Sequence, residues 1–301
     1  MKNLSDNLRG ALFMVISMTA FTLNDACMKG LSDDLPLFQA LFLRGLGTTT
    51  FLILISRYFG HLRFNLARRD WGLIALRTAA EAMAAWFFIT ALYNMPLANV
   101  SAILQSLPLA VTLASALFLK EAVGWRRFTA IFVGFIGVLL IVQPGSEGFT
   151  HYSVFALLSV AGVVVRDLSA RRMSREVPSV LIALAAAFGV TIFAGLGSLT
   201  VDWQPISAES GWQLAGAMTF VVGGYVASVA AMRTGEIGFV APFRYASLLV
   251  ALVVGFVAFG DWPDQITLTG AAIVVATGLF TLYRERMMRR AAARVARAAR
   301  D

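Results

Sequence analysis

Ten apolar stretches of roughly bilayer-spanning length recur along this chain, near residues 8–30, 36–56, 71–93, 97–119, 127–143, 152–170, 178–200, 211–232, 237–259 and 266–283. A helix crosses the hydrocarbon core in about 20 residues. Lipid offers no partner to a bare N–H or C=O, so a lipid-facing span must close its own hydrogen bonds as a helix or in a closed barrel. Continuous apolar texture, rather than alternation, selects the helix. Only 14% of the 301 residues are charged and 58% are hydrophobic, where a soluble domain carries about 25% charged residues. The expected fold is an all-α integral membrane protein with ten transmembrane helices. Some links are short: Asn94-Met95-Pro96 is a turn, because proline stops the helix before it.

The basic residues orient the bundle. Twenty of the 25 lysines and arginines fall in the N-terminus, the even-numbered links and the tail, against one, Lys29, on the opposite side. The remaining four, Arg44, Arg77, Arg166 and Arg244, lie within spans. Cytoplasmic segments hold the excess of basic residues, so both termini are expected in the cytoplasm. The net charge of +8 therefore reads as topology and not as nucleic-acid binding. The tail, 285–301, is expected to rest on anionic lipid at roughly 1 kcal/mol per basic residue near the surface.

The chain also repeats. With an offset of 140, Lys120-Glu121 at the end of the fourth span falls on Gly260-Asp261 at the end of the ninth. With an offset of 142, Asp25 falls on Asp167 and Lys29 on Arg171. The two units are 8–143 and 152–284. Each has five spans, an odd number, so the second must enter the membrane from the other side. Two inverted five-helix repeats are the architecture of carriers that alternate access around a midplane site.

A carrier shows itself by polar groups that lipid would reject. An acid at the centre of a span costs roughly 2.5–3.5 kcal/mol on insertion scales and usually faces the bundle interior. The first span carries Asn24 and Asp25, and the second Arg44. The third carries Arg77 and Glu81, four apart and so on one face. The sixth carries Arg166 and Asp167, and the ninth Arg244 beside Tyr245. Simpler readings stand beside each: an Arg77–Glu81 structural pair, an Arg166-Asp167 helix end reaching water, Arg44 on helix-end carbonyls. Arg244 has no partner in its own helix, and Pro242 and Gly238 predict a loosened backbone there. Trp86, Tyr225 and Tyr245 can stack on a planar ligand or simply pack. Gln105 breaks the apolar texture of the fourth span, and Pro108 predicts a bend. The candidate substrate-binding residues are Asn24, Asp25, Arg44, Arg77, Glu81, Trp86, Gln105, Asp167, Tyr225, Arg244 and Tyr245. Asp25 and Asp167 are expected at opposite ends of the pathway.

Other chemistries lack their residues. One cysteine, Cys27, makes no disulfide within the chain, and the two histidines, His61 and His151, lie in separate links. No metal site or cofactor is expected. Neither a phosphate-binding glycine loop nor the common hydrolase motifs occur, so an enzyme is not expected. A membrane enzyme or receptor is the alternative class.

Several stretches carry a resemblance. They are Leu23-Asn24-Asp25-Ala26-Cys27-Met28-Lys29, Leu43-Arg44-Gly45, Phe118-Leu119-Lys120-Glu121, Val133-Gly134-Phe135-Ile136-Gly137-Val138, Ala241-Pro242-Phe243-Arg244-Tyr245 and Gly260-Asp261-Trp262-Pro263-Asp264. Over residues 8–285 the chain resembles the EamA-type branch of the drug/metabolite transporter superfamily, and most of all its bacterial S-adenosylmethionine uptake carriers. The resemblance implies a multi-pass protein of the bacterial inner membrane. It also implies one central cavity lined by the first, third, fourth, sixth, eighth and ninth spans. The substrate it implies is a small polar metabolite. S-adenosylmethionine would set its carboxylate on Arg244 or Arg44, its ammonium and sulfonium on Asp25 or Glu81, and its adenine on an aromatic ring. Riboflavin or another planar metabolite is the alternative. A carboxylate inside a span, such as Asp25 or Glu81, permits proton coupling, and facilitated exchange fits the same residues. No pattern in the chain fixes an oligomeric state.

Overall fold

A computed structural model describes residues 6–59, 65–120, 124–145, 150–174, 176–235 and 237–298. Glu121, the acid expected to close the fourth span, lies outside them. Among the described residues ten helices are long and apolar enough to cross a membrane: Asp6–Gly30, Leu37–Leu54, Arg68–Asn94, Leu97–Phe118, Trp125–Val142, Tyr152–Arg172, Val180–Ser198, Ala208–Thr234, Ala241–Phe259 and Gln265–Met288. They match the expected spans to within a few residues. The last helix runs on to Ala298, into the basic tail. Alanine and arginine favour the helix there, and nothing apolar is needed to extend it.

Two spans are broken. The fourth is two helices, Leu97–Leu104 and Leu107–Phe118. Pro108 cannot donate to the carbonyl of Leu104 and its ring clashes there. The Ser106 hydroxyl instead takes up the Ile103 carbonyl at 2.7 Å. The ninth enters as Ile237–Val240, tightens into a 3-10 turn over Ala241–Tyr245, and continues as Ala246–Phe259. Pro242 has the same effect here. The breaks meet: Gln105 Nε2 donates to Ser247 Oγ, whose hydroxyl in turn donates to the Arg244 carbonyl at 3.0 Å.

The first span packs along the eighth, the third along the sixth, the second against the seventh, and the fifth along the tenth. The ninth packs on the first and the fourth. Small residues allow the closest approaches. A Cβ on Gly224 would meet the Phe21 ring at 2.8 Å, and Ser17 Oγ donates to the Gly224 carbonyl at 2.8 Å. A Cβ on Gly137 would meet the Gly270 carbonyl at 2.9 Å. Gly223, beside Gly224, faces open space instead. Large apolar side chains such as Phe132, Leu196, Leu249 and Val257 stay exposed on the outside, as a lipid-facing wall requires.

The end of the bundle opposite the arginine-rich links is closely packed. Met28, Leu31, Leu92 and Leu97 are fully buried there. Lys29 Nζ donates to the Met95 and Leu92 carbonyls at 2.7 and 3.4 Å and lies 5.4 Å from the Phe259 ring centroid. Just outside, Asp264 caps the tenth span, accepting the Thr267 amide at 2.6 Å and the Gln143 side chain at 2.8 Å. Those bonds, the Gln143 side chain first, hold its carboxyl below the usual carboxylate range.

Candidate functional site

The polar residues of the spans gather in two groups. In the first, Asn24 donates from Nδ2 to Asp25 Oδ1 at 2.8 Å and accepts from Arg44 Nη1 at 3.4 Å. No ion pair joins Arg44 to Asp25 among the described residues: the neutral amide stands between the two charges. Arg44 has five donors and this contact engages one. Tyr93 points its hydroxyl here, within the field of Arg44, and that oxygen is buried without a hydrogen-bond partner.

In the second group Arg166 is the hub. Its Nε donates to Asp167 Oδ1 at 2.8 Å and its Nη1 to Glu81 Oε1 at 3.2 Å. Glu81 also faces Arg77 at 3.6 Å across one turn of the third span. The side chains of Arg77, Glu81 and Arg166 keep 17–26% of their exposure, so they are half-sunk in the bundle. The Arg77 Nε and Nη1 atoms are buried and unbonded. Tyr225 links the groups. It is 48% exposed, yet its hydroxyl lies in the field of Glu81, Arg44, Arg166 and Arg77 together. Its ring meets the edge of Phe21 at 5.3 Å.

The remaining candidates fall elsewhere. Trp86 sits in an aromatic nest drawn from four spans, 4.9 Å from Phe87, 6.5 Å from Phe38, and 6.4 Å from both Phe155 and Phe193. Gln105 is engaged by Ser247, as above. Arg244 is exposed on the 3-10 turn, and among the described residues its guanidinium makes no hydrogen bond or ion pair. Tyr245 turns to the tenth span, its hydroxyl packed over Gly278. Two residues of the clusters were missing from the sequence candidates. Arg166, whose simpler reading is a helix end reaching water, is the hub. Tyr93 carries one weak signal, its place seven residues after Trp86 on the same helix face.

Comparison with known proteins supports this architecture. The EamA-like transporter family model matches residues 8–143. An S-adenosylmethionine uptake transporter of Rickettsia conorii is 24% identical over 93% of this chain and 94% of its own. A riboflavin transporter of Vibrio cholerae is 27% identical over 94% and 96%, and a pseudopaline exporter of Pseudomonas aeruginosa is 27% identical over 88% and 93%. A solved crystal structure superposes with a TM-score of 0.62 over 91% of this chain and 98% of that one at 19% identity. It shares the fold. With ten apolar helices among the described residues, a first half that matches the EamA-like transporter family and transporters as full-length relatives, the chain is similar to EamA-type carriers and reads as a small-metabolite transporter.

Proposed function

We propose that this small-metabolite transporter is a secondary carrier for a zwitterion bearing an α-amino-acid group, with S-adenosylmethionine the first substrate to test. The observation that carries the reading is the split pair at Asn24. Asp25 and Arg44 are opposite charges held apart by a neutral amide, and both retain bonding capacity toward the interior. A ligand carboxylate matches the planar fork of Arg44 and its ammonium matches Asp25. Glu81 is already shared by two arginines, which leaves Asp25 as the acid free for a cation. Phe21 and Tyr225 border the same space and offer rings to a planar base. The names of the relatives add weight to a polar organic cargo.

Alternating access rests on the repeats, 8–143 and 152–284. Span pairing is consistent with an inverted two-fold relation: one-with-eight mirrors six-with-three, while two-with-seven and five-with-ten map onto themselves. Two contacts fit the same relation. Thr49 Oγ1 meets Thr191 Oγ1 at 2.9 Å, and Gln105 meets Ser247. Each pair is 142 residues apart, the offset that relates Asp25 to Asp167. The arginine-rich end is taken as cytoplasmic, with the tail beyond residue 284 along that surface.

Purified protein in phosphatidylcholine vesicles should accumulate labelled S-adenosylmethionine. S-adenosylhomocysteine, which keeps the amino-acid group, should compete, and adenosine should not. Competition by adenosine alone, or uptake of riboflavin that S-adenosylmethionine leaves untouched, would overturn the zwitterion reading. Riboflavin has less support here because Gln105, the amide best suited to a flavin, is spent on Ser247.

A further inference from the structure

The fifth and tenth spans contribute no residue to either charged cluster, yet at their arginine-rich end they leave a crevice of about 580 Å³. The two helices run antiparallel, so Arg126 near the start of one and Arg284 near the end of the other stand at the same level on its rim. Below them the walls become apolar. Val133 lies seven residues beyond Arg126, or roughly 10 Å at helical rise, and Phe280 lies one turn deeper than Arg284. Trp125 and Tyr283 flank the rim, 73% and 60% exposed, rings of the kind that settle at headgroup depth.

We infer that this crevice is a binding site for an anionic phospholipid, its phosphate between Arg126 and Arg284 and one acyl chain in the groove. Charge complementarity carries the assignment. Two guanidiniums line the rim, and among the described residues no acid lines the crevice and neither guanidinium is engaged in an ion pair. The fifth span begins at Trp125 with Gly124 as its N-cap and no side-chain cap, so its first amides add partial positive charge to the same rim. A second copy of the chain fits less well. A two-fold contact through this face would set Arg126 and Arg284 against their own copies. The site is independent of the substrate reading above.

The test uses the full chain in phosphatidylcholine nanodiscs, doped with the same small mole fraction of either dibrominated phosphatidylglycerol or dibrominated phosphatidylcholine. Trp125 emission is taken as the difference between the parent and Trp125→Phe. Brominated phosphatidylglycerol should quench it several-fold more than brominated phosphatidylcholine, about fivefold for each guanidinium engaged. Arg126→Gln/Arg284→Gln should bring the two lipids to parity. Val133→Phe, which keeps both arginines and fills the groove, should also abolish the preference. Quenching of the other tryptophans by brominated phosphatidylcholine reports that each variant is inserted. Equal quenching in the parent overturns the proposal. So does a preference that survives Val133→Phe, which would mean a diffuse counter-ion layer. A shielded Trp125 that neither lipid quenches, in a protein that runs as a dimer, would assign the groove to a second copy.

Discussion

Asp25 and Asp167, 142 residues apart and equivalent in the repeat proposed above, each accept a 2.8 Å hydrogen bond from the residue just before them. The donors differ: an amide in the first half, a guanidinium in the second. At Asp167 the neighbour also brings the compensating charge, and Glu81 and Arg77 extend it into a connected network. At Asp25 the neighbour brings none, and Asn24 keeps the nearest cation, Arg44, at one remove. One position has therefore become a closed ion network and the other an open one. Breaking a buried pair usually costs more than forming it gains, so the closed network reads as structure and the open one as a receptor.

That contrast can be broken most directly at Asp25. Asp25→Asn should weaken binding of an amino-acid substrate by at least thirtyfold, on the order of 2 kcal/mol or more for losing one partner of a desolvated charge pair. Its thermal stability should hold or rise, since an uncompensated charge is removed. Normal uptake would show that Asp25 is not the receptor acid. Glu81→Gln should behave in the opposite way. It strands Arg77, leaves Arg166 with Asp167 alone, and should cost about 2 kcal/mol of stability, below the 3–5 kcal/mol of a dry pair because these side chains keep part of their exposure. A melting temperature unmoved by Glu81→Gln would mean that the network is not structural. The smallest effect belongs to Tyr93. Removing its unpaired hydroxyl in Tyr93→Phe should leave the fold as stable as before and weaken substrate binding by about 1 kcal/mol, the value of one hydrogen bond. If calorimetry shows a less stable protein with unchanged affinity, Tyr93 serves the fold instead.

Much of the fold could be read from the chain because lipid imposes a hard rule on composition. Span limits such as Leu97 and Phe259 follow from where apolar texture stops, and the breaks at Pro108 and Pro242 follow from a missing N–H. The site was less legible. Which acids and cations lay inside spans was plain, since lipid tolerates few of them. Their partners were not, because Arg166 reaches Glu81 across 85 residues of chain and only packing of the third span on the sixth decides that contact. Tyr93 was hidden for the opposite reason. A tyrosine near a span end is ordinary at a membrane interface, and only its unpaired oxygen beside Arg44 distinguishes it.

Thr49 and Thr191 have a different consequence, one of rates. If the halves exchange conformations when the carrier turns over, most contacts made in one facing state are lost in the other. A contact between two equivalent positions is its own counterpart, so its energy enters both states alike and cancels from their ratio. With the repeat proposed above, the Thr49–Thr191 hydrogen bond is such a contact. Thr49→Val should therefore leave the balance of inward and outward forms where it was, as double-labelled distance measurements would report. What it can alter is the barrier between them, as a hinge pin sets the stiffness of a door and not the side on which it rests.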